Sequence, residues 1–146
     1  GIYNQVTLST SDHPTFKKVL VHEFGHGYAG LGDEYSTDEY DPMYPSDTEP
    51  WEPNLTTLKD FQSKWADMMP KGVKIPTPLA KLPDHKNIRN EKEQKKLNEA
   101  VFKIGVFEGA GNQSKGCYRP AQVCRMRINE VDDFCPRCGA FNHPPS

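Results

Sequence analysis

The chain of 146 residues has no apolar run long enough to cross a bilayer as a helix, which excludes a membrane-spanning helix. It has no surplus of basic charge either. Eighteen Lys and Arg stand against 20 Asp and Glu, for a formal net charge of −2. That excludes the basic footprint on which nucleic-acid binding rests. Apolar residues are scarce at 35%, and the mean hydropathy is −0.78, so the core must be modest. Cysteine is absent before Cys117. No signal peptide is present, and the opening Gly1-Ile2-Tyr3-Asn4 has no initiator Met, as expected of a processed chain or a portion of something larger.

What is present is turn-forming chemistry. Thirteen Pro and 11 Gly point to one loop-rich domain over residues 1–146 rather than a helical bundle. Ile2 to Leu8 alternates loosely and suits a short edge strand. From Phe16 the apolar residues Phe16, Val19, Leu20 and Phe24 follow a helical period. Gly25, Gly27, Gly30 and Gly32 then crowd in. Each glycine inside a helix costs roughly 0.5–1 kcal/mol against Ala, so something besides propensity must hold this helix. Thr56 or Thr57 can cap a second helix with the stripe Leu58, Phe61, Trp65 and Met68, stopped by Pro70. The segment 87–105 reads as helical, solvated at first and apolar late, at Leu97, Val101 and Ile104. From Val106 onward glycine and cysteine dominate, and little regular structure is expected.

His22-Glu23-Phe24-Gly25-His26 matches His-Glu-x-x-His. Residues four apart on a helix share a face, so His22 and His26 can both reach one Zn²⁺. Glu23 then lies beside the metal, where it can take a proton from water and pass it on as general base and acid. A catalytic zinc usually has three protein ligands and one open position. In the metzincin pattern the third is a His ten residues after the first, preceded by a turn Gly. Gly32 occupies that place here and cannot ligate. Gly30 and Asp33 lie one residue further on with the same mutual spacing, so Asp33 is the expected third ligand and Glu34 its competitor.

Downstream, Met126 in Cys124-Arg125-Met126 is the candidate for the methionine turn that floors such zinc sites. Cys135-Pro136-Arg137-Cys138-Gly139 has the spacing of a zinc knuckle, and with Cys117 and Cys124 it can form a second, structural Cys₄ site. Disulfides that pair Cys117 or Cys124 with Cys135 or Cys138 are the equal alternative.

The run from His22 to Tyr35 resembles the bacterial IgA-peptidase family of metzincin-like zinc metallopeptidases. Further blocks in the same order carry the resemblance: Glu49 to Thr56, Lys64-Trp65, Phe107 to Gly111, Tyr118-Arg119-Pro120, Cys124 to Met126 and Phe134 to Cys138. The resemblance implies an α+β, metzincin-like zincin catalytic core with a loop-rich lower half. It implies a secreted or cell-surface bacterial protein that cleaves peptide bonds. Few residues precede His22, so the upper sheet of such a domain is expected to be incomplete or to belong to a missing N-terminal part. Part of the active-site helix's apolar face is then expected to be exposed.

The reading that follows is a zinc-dependent metalloendopeptidase acting on a peptide or protein strand laid along residues 2–8. Tyr35, Tyr118 and Arg119 are the candidate oxyanion or substrate donors. Two rivals stand beside it: a peptidase-like binding module that keeps metal without activity, and a purely structural zinc protein built on the cysteines.

Overall fold

The computed structural model describes residues 16–37 and 43–142, with side chains as far as residue 140. The edge strand expected over residues 2–8 lies outside the described residues.

Helix α1 spans Phe16–Ala29 and buries Gly25 and His26. Its other side is open: Leu20, Val21, Phe24 and Tyr28 are all exposed, with the Phe24 and Tyr28 rings stacked 5.0 Å apart. The helix stops because Gly30 adopts the left-handed conformation, φ +65°, and its N–H donates to His26 O at 3.1 Å. A side chain at Gly30 would also strike the Trp51 ring, 2.9 Å from the place of its Cβ. Residues 31–37 then run on without helix or turn.

The helix expected from Leu58 to Met68 is mostly not formed. Thr56 is instead tied to Tyr118 by a two-way backbone bridge, and Leu58 takes φ +72°. Only a single turn, α2 at Phe61–Lys64, and a 3₁₀ turn at Ala66–Met68 follow. Trp65 between them is fully buried and donates its indole N–H to Pro53 O at 2.9 Å.

Helix α3, Glu91–Ala100, begins at Asn90, whose side chain accepts the Glu93 N–H at 2.9 Å. It buries Leu97 and Ala100, and Val101 just beyond it. Ile104 does not continue the helix. It opens β1, Ile104–Ala110, which pairs antiparallel with β2, Gln113–Ala121. The expectation of little regular structure after Val106 is therefore corrected. The two-residue turn Gly111-Asn112 has φ +60° and +64°, the conformation that matches strand twist in a tight hairpin. Helix α4, Pro136–Asn142, closes the described chain and packs on α1.

The described residues form a mixed α+β structure. Its main core gathers Leu31, Leu97, Val101, Val123, Met126 and Val131 with three of the cysteines. Phe61, Trp65 and Val106 form a smaller cluster. The hairpin turn positions the segment after α1: Gly111 N donates to Asp33 O at 2.8 Å and Asn112 N to Tyr35 O at 3.1 Å.

Candidate metal centre

Helix geometry stacks His22 and His26 on one face of α1, with ring centroids 4.7 Å apart. Each ring is fixed from behind by a backbone carbonyl. His22 Nδ1 donates to Arg125 O at 3.0 Å, and His26 Nδ1 donates to Leu31 O at 2.6 Å. A carbonyl only accepts, so both protons sit on Nδ1 and both Nε2 atoms present lone pairs. These two lone pairs face each other at 3.1 Å.

Asp33 completes the triangle. Its Oδ1 lies 3.1 Å from His22 Nε2 and 3.0 Å from His26 Nε2. Three acceptors at this spacing repel one another unless a cation lies among them. Ligands about 2.0–2.1 Å from a tetrahedral zinc are separated by roughly 3.3 Å, so the observed triangle fits that ion. A proton is the other cation available. Burial works against a charged His26, but the hydrogen bond and charge of Asp33 outweigh it and raise the His26 pKa. Burial likewise works against ionised Asp33, yet the bonds from His22 and His26 hold its carboxyl far below the usual range. Tyr35, at the rim, donates its hydroxyl to Asp33 Oδ2 at 2.8 Å. Its own pKa is raised by burial and by that bond. The Glu23 carboxylate completes the surroundings: the ligand atoms of His22, Glu23 and His26 all lie within 4.8 Å of one another.

The Cys124–Arg127 turn forms the floor. Arg127 N and Ile128 N both donate to Cys124 O, at 2.9 and 3.0 Å. Within it, Arg125 O holds His22, Met126 O accepts Glu34 N at 2.9 Å, and the buried Met126 side chain lies under Gly25.

Glu34 is not at the His22–His26–Asp33 triangle. The chain is extended here, and successive side chains of an extended chain point to opposite sides. Asp33 therefore turns to the histidines, and Glu34 turns into a fully buried pocket with Cys124, Cys135 and Cys138. There its pKa is pushed well above the carboxylate range by burial and by the neighbouring Cys124. None of the four cysteines forms a disulfide. Cys117 is apart from the other three, packed with Leu55 and Ala110, where burial pushes its thiol up to about 12. The expected four-cysteine set is corrected accordingly: β2 carries Cys117 into a different cluster.

Tyr118 and Arg119 are bonded within the hairpin rather than to the triangle. Tyr118 donates to Glu108 Oε2 at 3.3 Å. Arg119 is buried and donates Nη1 to Glu108 O and Gly109 O, at 2.8 and 2.6 Å, clipping the irregular part of β1.

Asn54 has a role that spacing alone does not reveal. It is fully buried, accepts Gly32 N at 2.8 Å, and donates Nδ2 to Gly32 O and Glu34 Oε1 at 2.9 and 3.0 Å. It thus clamps the segment that carries Asp33. Its only sequence cue is its place in the 49–56 block. A hollow of about 760 Å³ beside α3, lined by Lys81, Arg89, Lys92 and Lys96 among others, includes none of the triangle residues.

The sequence model of the IgA peptidase M64 family matches residues 1–141. The chain belongs to the IgA peptidase M64 family. Among curated proteins no relative matches it. Membership in the M64 family makes peptide-bond chemistry the frame in which the triangle is to be understood, and no described helix is long and apolar enough to cross a membrane.

Proposed function

We propose that this M64 chain is a zinc metalloendopeptidase, with His22, His26 and Asp33 as metal ligands and Glu23 as general base. The observation that carries the proposal is the convergence of three lone-pair atoms within 3.0–3.1 Å of one another, each ring held from behind by a carbonyl. Such an arrangement is costly without a cation and fits zinc.

Zinc held by His22, His26 and Asp33 would supply Lewis acidity for the scissile carbonyl and for water near neutral pH. The protein's own groups do the rest. Arg125 O and Leu31 O keep both imidazoles in the ligating tautomer. Tyr35 fixes Asp33 so that Oδ1, not Oδ2, faces the histidines. Glu23 accepts the proton of the attacking water and delivers it to the leaving amine. Of the three donors considered for the oxyanion, Tyr35 is the one adjoining the triangle. Met126 serves as the methionine turn. The family's name points to immunoglobulin A, but the proposal covers peptide bonds generally, with the substrate strand laid along residues 2–8. A secreted or cell-surface bacterial setting goes with it.

The test is zinc content and peptide hydrolysis for wild type, His22→Ala and Glu23→Gln. Wild type should bind zinc and cleave. His22→Ala should lose the catalytic zinc, and Glu23→Gln should keep it while hydrolysis falls by about 10²–10⁴. Zinc content indifferent to His22→Ala would sink the reading.

A further inference from the structure

Glu34 and three cysteines form a second constellation. Glu34, Cys124, Cys135 and Cys138 are each 0% exposed. Their ligand-type atoms all lie within 4.8 Å of one another. Cys138 Sγ is 3.0 Å from Glu34 Oε1, and Cys124 Sγ accepts the Cys135 N–H at 3.2 Å. Glu34 Oε1 is further held by Asn54, but Oε2 has no hydrogen-bond partner among the described residues. A carboxyl oxygen sealed from water and left unpaired is expensive in either protonation state. Three thiols around it, which are weak donors, do not repay that cost.

We propose that Glu34, Cys124, Cys135 and Cys138 bind a structural zinc ion, separate from the His22–His26–Asp33 centre. Each part of the pocket suits that ion. Thiolates three positions apart, from Cys135 and Cys138, chelate from the start of α4, where Gly139 N donates to Cys135 O at 2.8 Å. Cys124 arrives from the turn behind the catalytic histidines, and Glu34 supplies the fourth, oxygen ligand. Three soft sulfurs and one carboxylate select zinc over the hard divalent cations. Full burial leaves no place for substrate or water, so the site is structural. Loading it releases the thiol protons. The four anionic ligands outweigh the ion's charge, and the buried Arg119 and neighbouring Arg127 stand within electrostatic reach of Glu34 to compensate. Arg127 also donates Nη1 to Glu34 O.

The site has a consequence for its neighbour. Asp33 and Glu34 are consecutive, so an ion holding Glu34 also fixes the peptide that presents Asp33. Asn54 ties the same segment from a third direction. Glu34 and the cysteines are thereby positioning residues for the catalytic centre.

The test uses the full chain loaded with Zn²⁺ or Co²⁺. Native mass spectrometry of wild type should give two metals per chain, one for each constellation. His22→Ala should give one. Co²⁺-loaded wild type should show thiolate-to-cobalt charge-transfer absorption, a band that histidine and carboxylate ligands do not produce. The band should persist in His22→Ala and in Cys117→Ser and vanish in Cys124→Ser. Because the wild-type spectrum alone decides whether sulfur binds the metal, a misfolded cysteine variant does not rescue the idea. No thiolate band in wild type, or a disulfide among Cys124, Cys135 and Cys138 detected by alkylation and intact mass, would overturn it. Failure of the peptidase reading shows differently, as a metal count unmoved by His22→Ala with the thiolate band intact.

Discussion

Gly25 leaves the space that Met126 fills. A Cβ at Gly25 would lie 2.8 Å from Met126 Sδ and 3.2 Å from Phe134 Cε1. The helix that carries both histidines thus gives up propensity at one position so that the sulfur can lie directly beneath it. Gly25→Ala should therefore destabilise the protein, by about 1–3 kcal/mol through overpacking, although Ala is the better helix former. Urea denaturation checks the sign, and a stabilised variant would show that Met126 has room to move.

Asn54 makes three hydrogen bonds to the 32–34 segment from a fully buried position. Asn54→Ala should cost about 2–4 kcal/mol by stranding Gly32 and Glu34 groups away from water. Asn54→Asp should be no milder, since it replaces the Nδ2 donor with an acceptor facing Glu34. Thermal unfolding of both variants tests this, with an unchanged midpoint as the contrary result.

Tyr35→Phe removes one hydroxyl and its bond to Asp33 Oδ2. Zinc affinity or activity should fall about 10–100-fold, the usual range for partners of metal ligands. If Tyr35 also donates to the oxyanion, kcat should drop with KM little changed at saturating zinc. A full kcat with weakened zinc binding would confine Tyr35 to orienting Asp33.

The Glu49–Lys64 pair should give the fold an acid-sensitive hold on the 49–64 segment. The two charges are 3.2 Å apart and mostly covered. Burial acts to raise the Glu49 pKa, but hydrogen bonds from a threonine hydroxyl and the Asp60 N–H, with the Lys64 charge, outweigh it and bring the pKa below 4.5. A depressed folded pKa means that the unfolded chain binds the proton more readily. The contribution is thus complete above about 4.5 and lost as pH falls through the lower folded value. The stability gap between wild type and Glu49→Gln should be constant at neutral pH and shrink on acidification. A gap that widens in acid would reverse the assignment.

Spacing alone places His22 and His26 together, because residues four apart on a helix share a face, and it sets Glu23 one position to the side. It also directs attention to Asp33, because Gly30 ends the helix with the left-handed residue that the pattern needs. Choosing between Asp33 and Glu34 requires the alternation of the extended segment after Gly30, and nothing in the two side chains themselves encodes it. Cys117 misleads for a related reason: its distance from Cys124 says nothing about β2 carrying it to another side of the molecule. The hairpin did have a signal, the Gly111-Asn112 pair between two strand-length segments, but the glycine density around it reads as loop. The helix beyond Leu58 is curtailed by a long-range bridge, Thr56 to Tyr118, that local propensity does not register.

The contact between Glu34 and Cys138 joins residues 104 apart, and that between His22 and Arg125 joins residues 103 apart. Both constellations therefore draw the same two distant stretches together, with the intervening chain looped out between them. The entropy of closing a loop of that length is paid before these non-local contacts reward it. Without that closure the His22 ring has no carbonyl from Arg125 to orient it. A molecule in which residues 22–34 and 124–138 have not yet met thus lacks both the carbonyl behind His22 and the Glu34–cysteine cluster.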